Sequence, residues 1–139
     1  MDERIIYQNE NGGVSVVTPS GEVSLDLVIL KDLPKGVDYK VINVSDLPPD
    51  RYFRSAWEFD VDKISINMSK ALEIQKNVLR AQRAPLLLAL DVEYMKALET
   101  DDKKKMGEIA EEKQMLRDIT MRPDLLNAKT PEELKLVTI

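Results

Sequence analysis

The 139-residue chain contains no cysteine and no histidine. The first absence excludes disulfides, thiolate nucleophiles and Cys-based metal sites. The second removes the commonest general base near neutral pH, and together they take away the usual zinc ligands. Aromatic residues make up only 5% of the chain, so a core must come mainly from Leu, Ile, Val and Met. Long apolar runs are missing as well. The run Pro85 to Leu90 falls far short of the ~18 apolar residues that a membrane helix needs, and no membrane partner is expected.

Positive charge is in deficit. A net charge of -5 and a pI near 4.9 argue against nucleic acid as a partner, because phosphate affinity rests on clustered Lys and Arg. Lys103-Lys-Lys105 directly follows Asp101-Asp102, so the local charges partly cancel and the segment reads as a solvated helix start. Motifs for chemistry are absent too. There is no glycine-rich phosphate loop and no Gly-x-Ser-x-Gly elbow, while Asp60-Val-Asp62 and Asp101-Asp102 lack the spacing and the glycine of a calcium loop. The expectation is a non-enzymatic protein without cofactor. Met1-Asp-Glu-Arg4 has no apolar core behind it, so it does not read as a secretory signal and a cytoplasmic site is expected.

The length suits one domain, or a small domain with a helical extension. The pattern predicts an α+β chain, with a β-rich region over 1–66 followed by a helical region over 67–139. Arg4-Ile-Ile-Tyr7 and Val14-Ser-Val-Val17 are β-branched runs flanking Gln8-Asn-Glu-Asn-Gly-Gly13. Asn11-Gly12 or Gly12-Gly13 can supply the positive φ of a tight hairpin. Ser24 to Leu33 suits either a short helix or a strand. The helix, capped by Ser24 with Leu25, Val28 and Ile29 on one face, is favoured. Val37 to Val44 alternates as a strand, with Val37, Tyr39 and Val41 on one face, and is placed beside the hairpin.

Asp46 to Phe59 holds the only Trp, both Phe residues and one of the four Tyr residues. Pro48-Pro49 makes an extended approach, and Asp50 can cap a turn or helix from Arg51 to Trp57. Two readings stand side by side. Phe53 and Trp57 plug the seam between the sheet and the helices, or Arg51, Arg54 and Trp57 form a docking surface, since Arg and Trp are enriched among interface hot spots. Glu58 to Ile66 alternates with a slip at Lys63 and reads as a short strand or hairpin.

Asn67 or Ser65 can then cap a long helix from Met68 to about Leu98, whose apolar positions recur at three- and four-residue steps with Gln75 as a polar exception. Pro85 predicts a kink or a helix-break-helix near Arg83 to Pro85. Arg80, Arg83 and Asp91 stand out against apolar surroundings. Arg80 and Asp91 lie about three turns apart on nearly one face and are expected to meet a neighbouring helix. Thr100 or Asp101 can begin the next helix, with Met106, Ile109, Ala110, Lys113 and Leu116 inward and an end near Asp118. An antiparallel pair of these helices would let Arg117 reach Asp91 or Glu93. Met121 to Lys129 reads as a linker, and Thr130-Pro-Glu-Glu133 as a capping box opening a terminal helix.

The run Leu47-Pro-Pro-Asp-Arg-Tyr-Phe-Arg-Ser-Ala-Trp57, then Ile66-Asn-Met-Ser-Lys-Ala71, Arg80-x-x-Arg83, Leu90-Asp91 and Lys113-Gln-x-Leu-Arg-Asp118, resembles small proteins of tailed bacteriophages in the tail-fibre assembly and tail-assembly chaperone-like group. The resemblance covers roughly residues 47 to 120. It implies a protein of the host cytoplasm that binds other phage tail or fibre proteins through Arg51, Arg54 and Trp57 or through the helical pair with Arg80, Arg83, Asp91, Arg117 and Asp118; self-association stays open beside this. Where that group is aromatic-rich between its helices, this chain has the charged Glu99 to Lys105. A permanent tail or capsid subunit of the virion is the first alternative, and a small host-directed inhibitor or enzyme the second.

Overall fold

Strand β1 (Glu3–Gln8) carries two adjacent isoleucines, and successive strand residues point to opposite faces. Ile5 and Ile6 are both fully buried, so this strand has a covered face on each side. The computed structural model that shows this describes residues 2–139. It is an α+β structure of two units, Met1–Lys70 and Ala71–Ile139.

In the first unit, β1 pairs antiparallel with β2 (Val14–Val17) on one side and with β3 (Tyr39–Asn43) on the other, in the order β2-β1-β3. The β1–β2 register places Ile6 opposite Val16 and Gln8 opposite Val14. The connecting turn uses Gly12 at φ 78°, a conformation that costs glycine little. The Asn9 side-chain oxygen accepts the amides of Asn11 at 3.1 Å and Gly13 at 3.0 Å, closing the turn from inside.

One sheet face is covered by α1 (Leu25–Asp32), whose Val28 packs with Ile5 and Leu33. Ser24 occupies the cap position, but its side chain makes no capping bond. The side chain that was expected to cap this helix therefore does not, and the backbone carbonyl of Ser24 accepts the amides of Leu27 and Val28 instead. The other face is covered by a second hairpin, β4 (Trp57–Asp60) and β5 (Lys63–Ile66), in which Trp57 and Ile64 pack with Ile6, Val14 and Ile42. The slip in alternation at Lys63 has a simple origin. Asp60 pairs with Lys63, so Val61 and Asp62 form a two-residue turn, and Val61 takes the positive φ (28°) such turns demand.

Trp57 is therefore a strand residue rather than the end of a turn or helix from Arg51. Only Arg54–Ala56 forms a helical turn, of 3-10 type, and Asp50 accepts the amide of Tyr52 at 3.0 Å. Trp57 is 3% exposed and fills the gap between the two β layers of this unit. Its indole Nε1 is buried without a hydrogen-bond partner, a deficit of about 1–3 kcal/mol that the burial of its large ring outweighs.

The second unit is built on α2 (Met68–Glu99), which begins in the first unit and runs unbroken through Pro85. A break at that position, one of the two forms the sequence allowed, does not occur. Asn67 caps the helix, its side-chain oxygen accepting the Lys70 amide at 3.1 Å. Asp102 caps α3 (Lys103–Arg117), its carboxylate accepting the Lys105 amide at 3.1 Å. Ile109 is buried on α3, whereas Ala110 lies outside the inward stripe and is exposed. The segment read as a linker contains a one-turn helix, α4 (Pro123–Leu126), whose Leu125 is fully buried. The last helix, α5 (Pro131–Leu136), is capped by Thr130. Glu133 reaches back to the Lys129 amide at 2.7 Å rather than to that of Thr130, so the expected capping box is only half closed.

Gln75 corrects the reading of α2. Set aside as a polar exception, it is fully buried and donates to the Val137 carbonyl at 2.7 Å. It shares a four-residue spacing with buried Ala71 and Leu79, which places it on the covered face. The bond tethers the C-terminal tail beyond α5 to the long helix.

Two outcomes follow for stability. Replacing Trp57 by alanine is expected to cost about 3–5 kcal/mol in urea unfolding, and Trp57→Phe much less, because phenylalanine keeps most of the volume and removes the unpaired N–H. The Glu58 carboxyl, which accepts from Asn67 at 2.7 Å and lies 3.5 Å from Lys70, has its pKa lowered first by the Asn67 bond and then by the Lys70 charge. A depressed carboxylate stabilises the fold above its unfolded pKa and stops doing so as pH falls through the lowered value. The stability gap between the native chain and Glu58→Gln, followed by unfolding across an acid titration, is thus expected to close on acidification; a pH-independent gap contradicts this.

Candidate functional site

The eight residues singled out from sequence fall in two places. In the first unit, Arg54 lies over the Trp57 ring, its guanidinium carbon 4.4 Å from the ring centroid, and its Nη2 donates to the Val14 carbonyl. Burial and the neighbouring Arg51 charge both lower the Arg54 pKa, burial more. Arg51 itself is exposed. With Trp57 enclosed and Arg54 committed to β2 and to the ring, this trio is a packing assembly in which Arg51 alone faces solvent freely. Of the three residues read as a docking surface, only Arg51 is exposed; Arg54 is half-buried and Trp57 is enclosed.

In the second unit, Arg83 donates from Nη1 to the carbonyls of Leu116 at 3.2 Å and Arg117 at 2.8 Å. These are terminal acceptors of α3, and a guanidinium there satisfies carbonyls that the helix leaves open and meets the negative end of its dipole. Asp91 pairs with Lys113 at 2.5 Å, and the Lys113 ammonium lies 5.6 Å from the Tyr94 ring centroid. Arg83 meets residues 116 and 117 while Asp91 meets 113, so partners shift in opposite directions along the chain and the helices run antiparallel.

The proposed Arg117 pairing with Asp91 or Glu93 is thus replaced by Lys113. Position 113 lies one turn earlier on the inward stripe, where the acid on α2 is within reach. Arg80, expected to meet a neighbouring helix, stays on its own, bonded to Asn77 at 2.7 Å and 3.8 Å from Glu73. Asp118 accepts from Gln114 at 3.0 Å. The hairpin therefore brings Arg83 to the backbone of Arg117 and Asp91 to Lys113, and leaves Arg80 and Asp118 in local contacts.

Sequence reasoning missed an apolar groove between α2 and α3. Leu86, Ala89 and Leu90 form one wall, and Glu112, Met115 and Leu116 the other. Met115 is 75% exposed, unusual for a large apolar side chain on a helix already packed along its inward stripe. The signal was present in the run Pro85 to Leu90, which is apolar on all sides of a helix that has one packed neighbour along it. Among the described residues, no group of acids and other ligands is arranged to hold a metal ion, and no helix is long and apolar enough to cross a membrane.

No protein-family model, no curated protein and no solved structure matches this chain.

A double-mutant cycle separates the two ion-pair assignments. Asp91 and Lys113 are expected to show a coupling of about 0.2–1 kcal/mol in urea unfolding that shrinks with added salt, and Asp91 and Arg117 a coupling near zero. The reverse result restores the Arg117 pairing.

Proposed function

We propose that this protein is a non-enzymatic assembly factor of a tailed bacteriophage, acting in the host cytoplasm by binding another tail or tail-fibre component. The phage assignment rests on the sequence resemblance over residues 47 to 120. The observation that carries the binding role is the groove of Leu86, Ala89, Leu90, Met115 and Leu116, an exposed apolar cleft of the kind that accepts an amphipathic segment. Its occupant is an apolar helix or strand with a basic edge, because Glu112 lines the groove and Glu108 and Glu111 precede it on α3.

Met115→Glu tests this reading. With Met115 so exposed, stability is expected to stay within about 0.5 kcal/mol of the native chain, while a tail or fibre component recovered with the native protein from infected cells is lost. Recovery of host proteins alone overturns the phage assignment. Stoichiometric copies in purified particles, read by mass spectrometry, replace the transient factor with a permanent virion subunit.

A further inference from the structure

The β1–β2 turn holds one side chain that takes no part in the fold. Asn9 builds the turn: its side-chain oxygen accepts the amides of Asn11 and Gly13, and its main-chain carbonyl accepts the Gly12 amide at 3.1 Å. Asn11 is exposed, and among the described residues its side-chain amide makes no hydrogen bond. Glycine follows it, at φ 78°, with nothing within 4 Å of the place a Cβ would take. The other asparagines differ. Asn43, Asn67 and Asn77 are hydrogen-bonded through their side chains, and these three, like Asn9 and Asn127, precede a residue with a side chain. Asn11 therefore combines an unengaged carboxamide with an unobstructed neighbouring backbone nitrogen.

We propose that Asn11 is a self-modification site whose conversion is held back by the turn around it. The Gly12 nitrogen gives its proton to hydroxide and attacks the Asn11 Cγ. A bond from that nitrogen to Cγ closes a succinimide ring while the Cγ–Nδ2 bond breaks and ammonia leaves. Water then opens the ring at either carbonyl, giving aspartate or isoaspartate, so water is consumed, ammonia is released and nothing is oxidised or reduced. In the closed turn the Gly12 N–H is bonded to the Asn9 carbonyl, and the nitrogen becomes free to react when the turn opens locally, as exposed loops do at low cost. Asn9 is the brake. Either product places a new negative charge beside Glu10. Isoaspartate also routes the main chain through the Asn11 Cβ, lengthening a turn whose length sets the β1–β2 register. This site is independent of the phage assignment and of the groove.

The purified full chain, aged in mildly alkaline buffer and read by peptide mass spectrometry, tests it. Amide-to-acid conversion at Asn11 is expected to outrun that at Asn127, which is likewise exposed but precedes alanine, and to rise in proportion to hydroxide. Asn9→Ala is expected to speed conversion at Asn11 about tenfold, the factor that two lost hydrogen bonds of ordinary strength supply, and to leave Asn127 unchanged. Asn9→Asp keeps the acceptor oxygen and is expected to hold the native rate. Trp57 emission reports whether each variant is folded, and the comparison of Asn11 with Asn127 in the native chain stands even where Asn9→Ala does not fold. Conversion no faster at Asn11 than at Asn127 overturns the site. A folded Asn9→Ala chain that converts at the native rate overturns the brake.

Discussion

The first unit depends on the full burial of two adjacent side chains, Ile5 and Ile6. Adjacent strand residues cannot share a face, so enclosing both requires a layer on each side of β1. The helix α1 supplies one and the β4–β5 hairpin the other. The remaining parts of the unit serve that constraint. Strands β2 and β3 satisfy the backbone of β1 on both edges, and the turn at Asn9 to Gly13 sets the register that brings Val14 and Val16 to the Trp57 side. Shifting that register by one residue would exchange the two faces and leave the indole against the wrong side chains.

The second unit obeys a different rule. Its polar side chains act where backbone groups need partners: Gln75 on the tail carbonyl of Val137, Arg83 on the last carbonyls of α3, and Arg122 on the Thr138 carbonyl at 2.7 Å. Each long side chain ties the end of α3 or the C-terminal tail to another segment. Of these bonds only that of Gln75 is buried, and there an unmet acceptor would be costly while a met one contributes little.

Much of this was legible in the residues. β-Branched runs around Asn-Gly-Gly specified the first hairpin, Thr130-Pro131 the last helix, and the three- and four-residue steps the long one. What escaped had physical reasons. Trp57 stands four residues from Phe53 and two from Phe59, so its spacing fits a helix and a strand equally, and only packing against Ile6 and Ile42 decides. Gln75 occupied a stripe position but was discounted by polarity, since nothing local reveals that a carbonyl 62 residues away would meet it. Lys113 was placed correctly on the inward stripe, yet the acid it needs lies on another helix. Of the candidate site residues, those whose partners are distant in sequence could be nominated but not matched.

Pro85 has a consequence for how the long helix moves. Lacking an N–H, it leaves the Ala81 carbonyl without its usual intrahelical donor in the middle of a helix of 32 residues. Helical opening spreads bond by bond, and at this point one bond is already missing. Upstream lie the buried positions Ala71, Gln75 and Leu79, and downstream a largely exposed apolar segment. Amide exchange is therefore set to divide the single rod into a slow N-terminal block and a faster C-terminal block.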